Sequence, residues 1–173
     1  MPDGEFSVIV ADPPWRPSFG KSCSRSVTRH YETMATDDIG HLKVPSAPNS
    51  LLFLWATAPM LQQALLVMSE WGFRYRTSMV WCKDRPGTGK WVRGQHELIL
   101  IGRRGTFPAP DVRIASPDRK VLPPSVIHAK RGRHSQKPEE LQEIIEATYP
   151  GLRYLELFAR RQRPGWTVWG NEV

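Results

Sequence analysis

The sequence is poor in cysteine, in acid and in unbroken apolar runs. Its 173 residues include two cysteines, Cys23 and Cys82. Two isolated thiols are too few for a disulfide framework or a thiolate zinc site. A reducing, cytoplasmic setting is therefore the expectation. The most apolar run, Leu51 to Leu61, is interrupted by Thr57 and Pro59 and followed by Gln62 and Gln63, so it does not read as a membrane span. The opening Met-Pro-Asp-Gly-Glu is acidic and structure-breaking, unlike a secretory leader. Asp and Glu number 17 against 24 Lys and Arg, giving a net charge of +7. That balance suits a polyanionic partner. With 40% apolar and 24% charged residues, the chain is not disordered throughout, collagen-like or a coiled coil. Its length suits one domain over residues 1–173.

Three familiar motifs are absent. Gly87-Thr88-Gly89-Lys90 resembles a P-loop, but Asp84 stands where that motif needs its first glycine and Trp91 where it needs Ser or Thr. His96-Glu97 begins like a zincin helix, yet Leu100 replaces the second histidine. No Gly-x-Gly-x-x-Gly supports a dehydrogenase-type dinucleotide site.

What is present reads as an α/β chain. Phe6 to Ala11 is a short buried strand that stops at Asp12-Pro13-Pro14. Leu51 to Trp55 is a second, followed by a helix entered at Pro59, with Leu61, Leu65, Met68 and Trp71 at helical spacing, Ala64 and Met68 widening the stripe, and Gly72 as the stop. Arg74 to Trp81 and Glu97 to Gly102 are further strands around a polar loop. Between Arg103 and His134, five prolines and many basic residues erase any periodicity, as in a long functional loop. Pro138 restarts a helix with Leu141, Ile144 and Ile145 on one face, ended by Pro150-Gly151. Tyr154 to Phe158 and Thr167 to Trp169 are the last strands.

Asp12-Pro13-Pro14-Trp15 carries the chemistry. It follows a buried strand, and ligands of open α/β sheets bind at the carboxyl ends of strands. An Asp-Pro-Pro turn with a Trp covering the core edge is also a sound structural ending for a strand. The functional reading assigns each residue a task. An exocyclic adenine amine is a poor nucleophile because its lone pair is delocalised into the ring. The Asp12 carboxylate and the Pro13 carbonyl can accept its two N–H groups and favour a pyramidal nitrogen. Two prolines fix that backbone. Trp15 offers a face for a base that has left its stack. A sulfonium leaving group requires no metal.

In this respect the chain resembles the MTA-seventy family of adenine amino-methyltransferases, whose signature is Asp12-Pro13-Pro14-Trp15. The resemblance covers nearly the whole chain in shared order. It runs through His30-Tyr31-Glu32-Thr33-Met34, Trp81-Cys82-Lys83, Gly87 to Glu97, His134 to Glu139, Leu155 to Arg160 and Trp166 to Glu172. It implies a Rossmann-like, circularly permuted methyltransferase fold, with the catalytic motif N-terminal and much of the S-adenosylmethionine (SAM) site C-terminal. It implies Lys137 on the methionine carboxylate, a placement also consistent with a lysine beside a helix N-terminus. Asp12, Glu156, Phe158 and Arg160 would line the cofactor, with Asn171 and Glu172 at its ribose and adenine. Arg161-Gln162-Arg163 departs from the family's His-Asn pair. Only five residues precede Phe6, where longer relatives carry an adenine-contacting segment.

On the substrate side the candidates are Trp15, Tyr31, Thr33, Glu97 and Ser135, with Arg16, Lys21, Arg25 and Arg29 as phosphate contacts. Glu97 reads equally as a site residue or as an edge carboxylate paired with Arg93 or Lys83. The basic stretches at about 16–31 and 103–134 are expected to be mobile loops flanking the base pocket. The expected activity is methyl transfer from SAM to the N6 amine of adenine in nucleic acid. Compactness and the lack of a fused RNA-binding domain point to DNA, as in bacterial and phage relatives. RNA methylation, or a silent nucleic-acid-binding subunit, is the alternative. A homodimer or a heteromeric partner is compatible with the sequence.

Overall fold

In the computed structural model, which describes residues 1–16, 33–87, 91–111, 122–132 and 136–173, strands form one continuous sheet. In chain order the elements are β1 (Phe6–Ala11), α1 (Thr36–Gly40), β2 (Ser46–Ala56), a 3-10 turn (Ala58–Met60), α2 (Leu61–Glu70), β3 (Arg74–Lys83), β4 (His96–Arg104) and β5 (Val126–Ala129). They continue with α3 (Glu140–Thr148), β6 (Tyr154–Leu157) and β7 (Trp166–Trp169). The seven strands lie in the order β5-β3-β4-β2-β1-β6-β7. β1 is parallel to β2 and β6, β6 to β7, and β3 to β5; β4 runs antiparallel to both β2 and β3. This mixed sheet with helices on its faces is a Rossmann-like methyltransferase arrangement.

The unbroken apolar run of β1 follows from its central place. Ile9 and Ala11 join Leu52, Leu54, Ala64, Val67 and Met68 on one face. Val8 and Val10 join Phe53, Trp55, Leu141 and Ile145 on the other. A strand covered on both faces has no polar side to alternate with. Gly102 of β4 lies beneath α2, where an added Cβ would come within 2.8 Å of Met68 Sδ. The helix therefore packs close to the sheet.

Three expectations change. Of the expected α2 stripe, Ala64, Met68 and Trp71 are buried and Val67 joins them. Leu61 is exposed and Leu65 only half-buried, so these two leucines lie at the margin of the stripe. The Arg103–His134 stretch is not wholly irregular: β4 runs on to Arg104, and β5 adds an edge strand parallel to β3. Pairing to β3 supplies the order that a four-residue strand lacks alone. The short helix α1 has no apolar periodicity to announce it. It is held by Trp71, whose Nε1 donates to the Ile39 carbonyl at 2.9 Å.

Candidate active site

Because β4 alone is reversed, its first residues meet the last residues of its parallel-running neighbours at one edge of the sheet. Asp12 follows β1 there, Lys83 ends β3, Glu97 is the second residue of β4, and Phe158 follows β6. Convergent polar groups at the carboxyl ends of strands are where open α/β sheets bind ligands.

The turn after β1 is tightly fixed. The Asp12 N–H extends the ladder to the Leu157 carbonyl at 3.4 Å. The Trp15 N–H donates to the Pro13 carbonyl at 2.8 Å, closing a three-residue turn centred on Pro14. Proline's locked φ suits that position. The Met34 N–H donates to the Pro14 carbonyl at 2.9 Å, and the Arg16 N–H to the Met34 carbonyl at 3.2 Å. The Pro13 carbonyl is thus held in place, with a second lone pair left for a ligand.

The Trp15 side chain differs from the sequence expectation of a stacking face. It is buried, 8% exposed, and Nε1 donates to the Trp55 carbonyl at 3.0 Å. Here Trp15 pins the turn after β1 to the end of β2. Arg16 and Thr33 come together, with Arg16 Nη2 donating to the Thr33 carbonyl at 3.2 Å. Tyr31, Ser135, Lys21, Arg25 and Arg29 lie outside the described residues, as do nearly all of the first basic stretch and residues 112–121 and 133–134 of the second.

Four charged side chains form an alternating row. Lys137 Nζ is 2.7 Å from Asp12 Oδ2 and 3.3 Å from Glu97 Oε2. Lys83 Nζ is 2.6 Å from Glu97 Oε1. The Lys137 ammonium also lies 5.4 Å from the centroid of the Trp55 ring, and that of Lys83 4.9 Å from Trp81. All four groups are largely covered, so their mutual attraction is weakly screened. Burial pushes the Asp12 carboxyl above its usual range, and Lys137 works against that push. Burial would do the same to Glu97, but Lys137 and Lys83 outweigh it and hold Glu97 low. Burial would lower Lys137, yet Asp12 and Glu97 hold it above its ordinary value.

Glu97 is therefore a partner of Lys83 and of Lys137 at once, beside Asp12, and among the described residues Arg93 is not its partner. Lys83 and Trp55 were not singled out from sequence as site residues. The available signal was the Trp81-Cys82-Lys83 block, whose alternation puts Lys83 on the same face as Trp81, opposite Glu97 in the ladder.

The β6 side supplies a second group. Glu156 is half-buried, accepting from Gln142 Nε2 at 3.3 Å; burial raises its pKa and the Gln142 bond opposes this. Phe158 adopts a left-handed φ of 61°, and its ring meets Trp169 edge-on at 5.6 Å. Arg160 Nε is 3.5 Å from Glu172 Oε1, while Asn171 and Glu172 are exposed. Arg161 and Arg163 are occupied structurally. Arg161 bonds Glu139, and Arg163 bonds Glu146 of α3 at 2.8 Å.

Comparison with known proteins decides the family. The MT-A70 family model matches residues 6–172. Type II methyltransferase M.MunI of Mycoplasma sp is 33% identical over 193 aligned positions, covering 100% of this chain and 80% of that protein. The chain belongs to the MT-A70 family. An N(6)-adenosine-methyltransferase MT-A70-like protein of Arabidopsis thaliana is 32% identical over 98% of the chain and 24% of its own length. The human N(6)-adenosine-methyltransferase catalytic subunit METTL3 is 29% identical over 98% of the chain and 28% of its own length. The chain thus spans most of the Mycoplasma relative but only about a quarter of these plant and human ones. As an MT-A70 methyltransferase, it presents Asp12, Lys137 and Glu97 at the end of its central strands. Among the described residues, no helix is long and apolar enough to cross a membrane.

Proposed function

We propose that this methyltransferase transfers a methyl group from SAM to the N6 amine of adenine in nucleic acid. The juxtaposition of Asp12 with the fixed Pro13 carbonyl, backed by Lys137, carries this reading. The site chemistry fits SAM. Lys137 is an ammonium for a carboxylate, Asp12 and Glu156 are carboxylates for cationic groups, and Phe158 with Trp169 is an aromatic wall. Gln142 Oε1, beside Glu156, is a buried acceptor with no hydrogen-bond partner among the described residues, which also suits a cationic ligand.

When bound, SAM supplies a methyl group made electrophilic by its sulfonium. The protein's task is to make an aromatic amine nucleophilic. The Asp12 carboxylate and the Pro13 carbonyl accept its two N–H groups, drawing density onto nitrogen. The sulfonium would leave as a neutral thioether once its methyl is taken by nitrogen, and the Asp12 carboxylate would pass the surplus N6 proton to solvent. Lys137, Glu156, Phe158, Arg160, Asn171 and Glu172 hold the cofactor in this reading. Thr33, Glu97, Arg16 and the basic stretches hold the substrate, together with Tyr31 and Ser135. The order of motifs, Asp12 early and Lys137 late, fits a permuted methyltransferase domain spanning residues 1–173.

DNA is the preferred substrate because the match to the type II enzyme covers more of the relative than the match to the N(6)-adenosine enzymes does. A cytoplasmic location, and assembly with itself or with another subunit, belong to the same proposal. The test is incubation with labelled SAM and matched single-stranded DNA, duplex DNA and RNA, followed by mass spectrometry of digested nucleosides. N6-methyladenine from DNA supports the full reading, and from RNA alone corrects the substrate. No methyladenine despite SAM binding points to a silent subunit and sinks the proposal for this chain alone.

A further inference from the structure

We propose that Lys83 is a positioning residue for the Asp12–Lys137 pair, acting through Glu97; this rests on the adenine-methylation reading of the site. Lys83 does not belong to the catalytic turn and is placed by the β3–β4 hairpin. Its N–H donates to the Gln95 carbonyl at 2.8 Å, and Gln95 Nε2 returns a bond to the Lys83 carbonyl at 3.0 Å. Its side chain crosses the Trp81 face and ends on Glu97 Oε1, while Glu97 Oε2 faces Lys137. Glu97 therefore has two oxygens and two lysines, one for each.

The charge count shows what Lys83 does. With it, Asp12, Glu97, Lys137 and Lys83 sum to zero. Without it, two carboxylates share one ammonium, and Glu97 competes with Asp12 for Lys137. Like charges left in one covered site favour uptake of a proton by one of them. Asp12 must be ionised to accept an amine N–H, so the loss falls on the reaction. Two other charged groups act on Asp12 from the β6 side, Arg160 favouring its ionised form and Glu156 interacting with it unfavourably. Neither compensates for Lys83, because the ionisation of Glu97 is governed by the two lysines.

The test compares wild type with Lys83→Met, Lys83→Gln and Lys83→Arg. Two readouts are taken: the pH dependence of kcat/KM for adenine methylation, and carbon-13 titration of the Asp12 and Glu97 carboxyls without cofactor. Lys83→Met and Lys83→Gln should move the acid limb up by about one pH unit, with a parallel shift in the carboxyl titration. Gln retains a hydrogen-bond donor, so a shared shift identifies charge as the cause. Lys83→Arg should restore both profiles. Wild-type limb and titration in Lys83→Met and Lys83→Gln would overturn the proposal. If the wild-type protein methylates no adenine, the function reading fails by itself, and the carboxyl titration still decides the role of Lys83.

Discussion

Lys137 Nζ sits 2.7 Å from Asp12 Oδ2, across 125 residues of chain. One end of this contact follows the central strand and the other precedes α3, so folding of the sheet brings them together. The pair predicts how the two variants differ. Asp12→Asn keeps the shape but removes the charged acceptor, and should lower kcat by about 100-fold or more. Lys137→Ala should also raise the Kd for S-adenosylhomocysteine by about tenfold, which Asp12→Asn should not, while lowering kcat because it removes the ammonium that favours ionised Asp12. Single-turnover methylation and calorimetry separate the two. Full activity in Asp12→Asn would remove the carboxylate from the mechanism.

Glu97 links the site to pH. Its folded pKa lies below the ordinary 4.5, so its contribution to stability is complete above that value and lost as pH falls through the folded one. Lys137 lies above the ordinary 10.5, so its contribution is complete below 10.5 and lost as pH rises through the folded value. Asp12, raised by burial, has the opposite acid slope: protonation relieves the cost of its covered charge. Glu97→Gln should therefore be less stable near neutrality but lose less on acidification. Melting temperatures from about pH 7 to about pH 3 will show whether the two curves converge.

Phe158 predicts a stability order that side-chain size alone would reverse. Its φ of 61° strains any residue bearing a Cβ. Phe158→Ala loses the contact with Trp169 and keeps the strain. Phe158→Gly loses both, and should be more stable than the alanine variant by about 1 kcal/mol. Urea unfolding of the two variants gives the difference, and an alanine variant that is the more stable would contradict the strain.

Gly170 ends β7 against the chain leaving β6. A Cβ there would fall 2.1 Å from the Ala159 carbonyl oxygen, in a segment where the Ala159 N–H already donates to the Trp169 carbonyl at 3.0 Å. Gly170→Ala should cost about 1–3 kcal/mol and show as a lowered Tm. An unchanged Tm would mean that the two segments part freely.

The sequence disclosed what local pattern could carry. The doubly buried β1 run and the Asp12-Pro13-Pro14 stop placed the site, because a strand without a polar side must be central. The stripe of α2 was legible in Ala64, Met68 and Trp71, but not its margins, since helical spacing alone gave Leu61 and Leu65 the same weight and passed over Val67. β5 was hidden because four residues among prolines gain order only from β3. Trp15 looked like an open ring because the Trp55 carbonyl that captures its N–H is 40 residues away in sequence. The pairing of Lys83 with Glu97 was within reach, but the sharing of Glu97 between two lysines needed the three-dimensional register.

The reversal of β4 makes the β3–β4 hairpin an exchangeable cassette. Glu97 is held by the ladder on the β3 side, opposite Trp81, and the pairing with β2 begins at the next residue with Leu98–Ala56. Its position is thus independent of what the chain does between Lys83 and Gln95. That connection can therefore vary in length or composition while the charged row beside it keeps its spacing.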